Sequence, residues 1–267
     1  MNKAENASLE LKSIDELIQV DSPLRRMNPL SKFIITIVYI LTTMSFYKYD
    51  VSGLIFMLLF PVIGYQVAMI PMRLCFYKLR IVMPLVCIMG ILNPFFDRQI
   101  MLTLFGVGIS GGVISMLTLV IKGILCLMAS FLLIATTPIE EICGALRHLH
   151  IPTVIVSLIL LTYRYVYVLL SEASILFTGY QLRAPGQKGI HISAWGSFLG
   201  QLLLRSVDRA ENLYDSMLLR GYNGDIPYDY KQYKSGISVA VTAIVIMVMI
   251  VARLYNLPVL LGSLLTG

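Results

Sequence analysis

Charge is scarce in this chain. Aspartate, glutamate, lysine and arginine make up 13% of its 267 residues, where a soluble domain carries about 25%. With 57% apolar residues and a mean hydropathy of +0.80, this deficit points to lipid as the solvent for much of the chain. The net charge of +6 is spread between apolar runs. It is not gathered into a basic face with interleaved aromatics, which argues against a nucleic-acid partner. Histidine is limited to His148, His150 and His191. The four cysteines, Cys75, Cys87, Cys126 and Cys143, form no CxxC pair and fall in or beside apolar runs. They read as small membrane hydrophobes, and no metal site or cofactor is expected. No GxxxxGK[ST] phosphate loop is present, so ATP hydrolysis is not expected of this chain. Residues 1–32 are polar and charged, without an early apolar segment. A cleavable signal peptide is therefore not expected, and insertion falls to internal segments.

What is present is a series of apolar runs: Phe33 to Phe46, Leu54 to Ile70, Ile81 to Leu92 with Pro84 inside it, Gly112 to Ile134 interrupted by Lys122, and Gly236 to Val251. A spanning helix needs about 20 residues, so the first and third must borrow flanking residues. Basic residues alternate between the loops. Lys3, Lys12, Arg25, Arg26 and Lys32 precede the first run, and Arg73, Lys78 and Arg80 follow the second. The intervening loops carry only Lys48 and Arg98. This alternation puts the N-terminus in the cytoplasm. Ile151 to Leu170 is a further apolar run, but crossing there would place Arg183, Lys188, Arg205, Arg209, Arg220, Lys231 and Lys234 outside. Arg164 also lies near its middle, where it is costly in lipid. The run reads as a helix at the cytoplasmic interface. The expected fold is an all-α integral membrane protein of the inner or plasma membrane. It has about five transmembrane helices (six if 151–170 crosses) and a cytoplasmic module of two long crossing helices. The divisions are a cytoplasmic lead at 1–32, four spans in 33–137, the module in 138–235, and a last span with the C-terminus in 236–267.

The module carries the most specific pattern. One helix is predicted from about Thr153 to Arg183, stopping at Pro185-Gly186, and a second from about Ser193 to Arg220, stopping at Gly221. Trp195, Phe198, Leu199, Leu202, Val207, Ala210, Leu213 and Met217 recur at helical spacing on the second. Arg205 and Asp208 are spaced as an i,i+3 opposite-charge pair. Ser171, Ser174 and Thr178 share a face of the first helix, as Ser206 and Ala210 do on the second. Small residues so placed let two backbones approach, so the crossing is expected there. The helices finish alike, Leu182-Arg183-Ala184 and Leu219-Arg220-Gly221. A guanidinium at the tip of a rigid rod suits an acidic groove on a partner.

These features resemble the T component of energy-coupling-factor transporters, closest to the CbiQ-type subunit of cobalt and nickel uptake systems. The resemblance covers nearly the whole chain. It includes Ile14-Asp15, Ser22-Pro23-Leu24, Asn28-Pro29-Leu30-Ser31-Lys32, Thr136-Thr137-Pro138 with Glu140-Glu141, and Tyr163-Arg164-Tyr165. The two arginine tips match the family's paired X-Arg-X motifs. The first reads Leu-Arg-Ala where many members read Ala-Arg-Gly, with the arginine kept. The resemblance implies that Arg183 and Arg220 dock into two ABC ATPase subunits. It also implies that the apolar helix face contacts a small substrate-binding membrane subunit, and that this chain is a non-catalytic transmitter of force.

Other motifs carry rival readings. Glu140, Glu141 and Arg147 approach the Glu-Glu-x-x-x-Arg signature of intramembrane metal-dependent proteases, but the arginine comes too late. The bland reading is a pair of acids opening a short helix. Glu172-Ala173-Ser174 with Gly179 resembles the ATPase-docking loop of conventional ABC permeases, with the glycine one place late. Lys122 is read as structural, snorkelling or bonded within the bundle. The glycine-rich stretch Gly106 to Gly112 is read as a flexible turn.

Overall fold

The computed structural model describes residues 22–25, 27–96, 100–104, 107–187, 189–224 and 235–254. Ile14-Asp15, Arg26, Arg98, Gly106, Lys188, Lys231, Lys234 and the C-terminal 255–267 lie outside the described residues. The chain divides into two units. One comprises 17–138 with 232–267, the other 139–231 with 1–16.

The first unit opens with α1 (Pro29–Ser45), started by Pro29 and by the Asn28 side chain, whose Oδ1 accepts from the Leu30 amide at 3.1 Å. Its threonines cost no open polar group in lipid. Thr36, Thr42 and Thr43 donate to the carbonyls of Lys32, Val38 and Tyr39 in their own helix. The second apolar run folds as α2 (Val51–Met57) and α3 (Leu59–Val67), meeting at Leu58. Pro61 has no N–H to give the Met57 carbonyl. The hydroxyl of Tyr39, fully buried on α1, donates to that carbonyl instead at 3.0 Å, and its ring stacks on Phe60 at 4.7 Å.

Helix α4 (Met72–Phe96) runs unbroken past Pro84. The short third run lies inside this 25-residue helix, whose apolar stretch is Val82–Ile91. It packs on α5 (Gly111–Thr136) through glycines. A Cβ at Gly90 would lie 3.1 Å from Met116 Cγ, and one at Gly123 3.0 Å from Val86 Cγ1, so the absent side chains set the approach. Asn93 Nδ2 donates to Ser115 Oγ at 3.2 Å across the same pair. Between α4 and α5 stands the one pair of strands among the described residues. A short antiparallel hairpin, β1 (Ile100–Leu104) with β2 (Val107–Ser110), replaces the turn expected from the glycines. The last helix of this unit, α9 (Ser235–Leu254), packs on α1 and α2. Ile35, Leu54, Leu125 and Met249 meet in one apolar core, and Ala68, Cys75, Met128 and Leu132 in another. Tyr65 binds the second, its hydroxyl donating to the Met128 carbonyl at 3.0 Å.

The second unit begins with α6 (Ile139–His148). Glu140 and Glu141 sit in its first turn and Arg147 and His148 in its last, each matched to the helix dipole. Burial pushes the Cys143 thiol up from its ordinary value, with Glu140 nearby adding to the effect. The chain leaves α6 at His150, whose φ of 61° is the left-handed region. Its amide bonds the Arg147 carbonyl and the Ile151 amide that of Leu146. Then come α7 (Thr153–Arg183) and α8 (Ile192–Leu219), on the spans read from the punctuating Pro185-Gly186 and Gly221.

Among the described residues, α5 and α7 are each long and apolar enough to cross a membrane. Shorter apolar helices occupy Pro29–Ser45, Gly53–Ala68, Val82–Ile91 and Ser238–Arg253.

Candidate functional site

The two arginine tips are built differently. Helix α7 keeps helical geometry through Arg183, and the Ala184 amide still bonds the Tyr180 carbonyl at 3.1 Å. The chain then turns at Gly186, with φ of 93°. The Tyr180 hydroxyl ties the connection together, donating to Gln187 Oε1 at 2.8 Å and accepting from the His191 amide at 3.3 Å. His191 in turn caps α8, its Nδ1 accepting from the Ser193 amide.

At the far end of α8 the Gly221 amide bonds the Leu218 carbonyl at 2.9 Å and the Tyr222 amide bonds that of Met217 at 3.0 Å. That pairing closes a helix through a left-handed residue, and Gly221 supplies it with φ of 83°. Arg220 is thereby held at the C-cap, one residue past the last helical position. Arg183, Arg220 and Gly221 are exposed and Ala184 is half-covered. Leu182 is 79% and Leu219 90% exposed. Two leucines standing in the open beside two arginines make mixed apolar and cationic tips.

Between the tips lies a polar clasp that sequence spacing did not indicate. Glu172 on α7 receives Arg205 NH1 on Oε2 at 3.0 Å and Arg209 NH2 on Oε1 at 2.8 Å, both from α8. Arg205 therefore turns to Glu172 and not to Asp208, its expected partner. The arginines are one turn apart on one face. The carboxylate side chain is 19% exposed and the guanidiniums 43%. Of the small residues, Ser174 and Ser206 are partly covered, while Ser171, Thr178 and Ala210 are exposed. The hydroxyls of Ser171, Thr178 and Ser206 bond carbonyls of their own helices.

No residue of α8 is buried within this chain. Its apolar stripe is correspondingly open, with Trp195, Leu199 and Val207 45%, 52% and 46% exposed and Phe198, Leu202, Leu213 and Met217 half-covered. Trp195 and Phe198 meet edge to face. A 28-residue helix with no fully buried residue and so open an apolar stripe offers a surface for a partner.

In the first unit the cations on or beside apolar helices bond carbonyls. Lys122 Nζ donates to the carbonyls of Phe46 at 2.6 Å and Met44 at 3.3 Å, just where α1 ends. Arg253 NH2, from α9, takes the Ser45 carbonyl at 2.8 Å and lies 4.7 Å over the Phe46 ring. Lys32 Nζ does the same for α5, donating to the Thr136 carbonyl at 3.0 Å. An apolar cavity of about 390 Å³, lined by Ile35, Phe60, Ile63, Leu132, Val245 and Val248 among others, opens between α1, α3, α5 and α9. Its walls are mostly apolar, with Lys32, Thr36 and Thr136 the polar exceptions. Among the described residues no three histidines, cysteines or acids converge as metal ligands. Glu140 and Glu141 start α6 while His148 and His150 stand at its other end.

Residues 21–230 match the family described as cobalt transport protein, CbiQ. The chain is 30% identical over 97 residues to the cobalt transport protein CbiQ of Rhodobacter capsulatus, covering 35% of this chain and 39% of that protein. It is 27% identical over 124 residues to an uncharacterized protein of Methanocaldococcus jannaschii, covering 45% of this chain and 42% of that one. The matched stretches thus span about two fifths of each relative. With a family match over most of its length and apolar helices suited to a bilayer, the chain belongs to the CbiQ family of cobalt transport membrane proteins.

Proposed function

We propose that this chain is the membrane coupling subunit of an energy-coupling-factor importer, passing ATP-driven motion of two ABC ATPase subunits to a small substrate-binding membrane subunit. One observation carries the reading. Two long helices each end in an exposed leucine and arginine followed by a small residue, and α8 buries no residue in its own chain. Arg183 and Arg220 dock in acidic grooves of the ATPases, flanked by Leu182 and Ala184 and by Leu219 and Gly221. The open stripe of α8 meets the substrate-binding subunit. The N-terminus and 138–235 are cytoplasmic, and α7 lies at the interface, where Arg164 stays out of the hydrocarbon. The two helices meet at the Glu172 clasp, with Ser174 and Ser206 partly covered beside it; Ser171, Thr178 and Ala210, expected at the crossing, stand exposed. The family's description and the Rhodobacter relative's name support cobalt as the solute, with the cation handled by the substrate-binding subunit. Glu172 belongs to a clasp, which weakens the likeness of Glu172-Ala173-Ser174 to the docking loop of conventional permeases.

The test is co-purification of the tagged chain with its ATPases from native membranes in mild detergent. Arg220→Glu and Arg183→Glu together are expected to lower ATPase recovery at least tenfold while leaving the melting temperature of the membrane chain unchanged. Full recovery with the double variant would overturn the reading.

A further inference from the structure

We infer that Glu172, gripped by Arg205 and Arg209, is the pivot that sets the angle between α7 and α8 and thereby the separation of the two arginine tips. This deepens the coupling role proposed above and rests on it for its meaning, though the geometry of the pivot can be tested alone. Apolar cover around the clasp is partial. Ile175, Leu203 and Leu204 are 62%, 63% and 62% exposed, Leu169, Leu176 and Leu202 are half-covered, and the nearby serine and threonine hydroxyls bond within their own helices. The polar grip is the directional contact at the crossing. Two guanidiniums one turn apart on α8 each take one oxygen of a single carboxylate. Two anchors on one helix and one on the other fix the contact point while leaving rotation about it soft.

The lever arms follow from helix rise. Glu172 stands 11 residues before Arg183, about 16 Å along α7, and the midpoint of Arg205 and Arg209 stands 13 residues before Arg220, about 20 Å along α8. With the contact point fixed, the tips are about 26 Å apart when the arms are perpendicular and about 36 Å apart when they are collinear. Averaged between those two angles, each 10° of rotation moves the tips by roughly 1 Å, with about 2 Å per 10° near perpendicular. Glu172, Arg205 and Arg209 are positioning residues in this scheme. They touch neither ATPase nor solute, and act by fixing where Arg183 and Arg220 stand.

The test uses the full chain in lipid nanodiscs with Cys75, Cys87, Cys126 and Cys143 replaced, and nitroxide labels at the exposed positions Gln181 and Ser216. Pulsed electron–electron resonance reads the distance distribution between the labels. Glu172→Gln, which keeps the volume and removes the charge, is expected to broaden the distribution or shift its mean by about 3 Å, the change for roughly 30°. Glu172→Arg combined with Arg205→Glu and Arg209→Glu, which restores attraction with the signs reversed, is expected to return it. High salt should loosen the parent and leave Glu172→Gln unaffected, because the clasp is partly exposed and open to screening. A Glu172→Gln distribution superimposable on the parent's would overturn the inference, and so would a folded charge-swap variant whose distribution stays at that of Glu172→Gln. The coupling reading fails separately. If Glu172→Gln shifts the tips but cobalt uptake per ATP hydrolysed in the assembled complex stays at the parent value, the pivot stands and its role in coupling falls.

Discussion

Lysine in the middle of an apolar helix invites the expectation that removing it will help a membrane protein, and Lys122 is where that expectation should fail. Lys122→Met removes the amine that donates to the Phe46 and Met44 carbonyls at 2.6 and 3.3 Å. Those carbonyls close α1 and have no following turn to bond. The shorter bond is charge-assisted, worth about 1.5 kcal/mol at the low end for such bonds. The longer one is set at the average of about 0.6 kcal/mol found for polar contacts between membrane helices. Together they give about 2 kcal/mol. The apolar gain from methionine does not offset this, because it accrues to the isolated inserted helix at least as much as to the packed one. Lys122→Met should therefore insert as well as the parent or better, yet melt lower by roughly 4 to 8 °C on the scaling for domains of this size. Thermal denaturation of the purified chain in one detergent, beside Arg253→Met and the double variant, measures it. Because Arg253 closes the adjacent Ser45 carbonyl and covers Phe46, the two losses should be non-additive. An unchanged or raised melting temperature for Lys122→Met would refute the capping argument.

Other consequences are simpler to check. Tyr39→Phe keeps the stacked ring but orphans the Met57 carbonyl that Pro61 already deprives of a partner, and should cost about 1–2 kcal/mol in the same melting assay. Gly64→Val drives a side chain into Leu132 and should cost at least about 1–3 kcal/mol, seen as loss of monodisperse protein on size exclusion. His150→Gly relieves a left-handed backbone at the end of α6. It should raise the melting temperature by the equivalent of about 0.5–1 kcal/mol, the left-handed penalty less the entropy of glycine.

Local punctuation made the long helices legible. Pro185-Gly186 and Gly221 mark the ends of α7 and α8 because a glycine in the left-handed region turns the chain off the helix axis just past the last turn, whereas Pro61 and Pro84 sit inside helices that continue past them. The structural reading of Lys122 was legible too, since a cation in an apolar run must find oxygen. Its particular oxygens were not, because they belong to a helix 76 residues earlier in the chain. The clasp was hidden for the same reason. Spacing rules see Asp208 three residues from Arg205, and Glu172 lies 33 residues away. Pro61 announces an orphan carbonyl at Met57, but only packing reveals Tyr39 as the donor. The hairpin at 100–110 was missed because Ile-Met-Leu-Thr-Leu lacks a strict alternation, leaving the glycines as the loudest local signal. The tips were found as a repeated pattern, and their exposure gives that pattern physical content.

Lys32 and Lys122 work as a ruler. Lys32, near the start of α1, closes the end of α5, and Lys122, midway along α5, closes the end of α1. Lys32 stands 13 residues before Ser45 and Lys122 stands 14 before Thr136, both about 20 Å. Two antiparallel rods clipped at both ends over equal lengths have one register. A slide of one turn, about 5.4 Å, would pull both clips apart at once. Adding or deleting a residue inside either stretch would turn one lysine away from its carbonyls by about 100°. Length variation in this protein should therefore accumulate in its connections and spare these two stretches, whatever their composition.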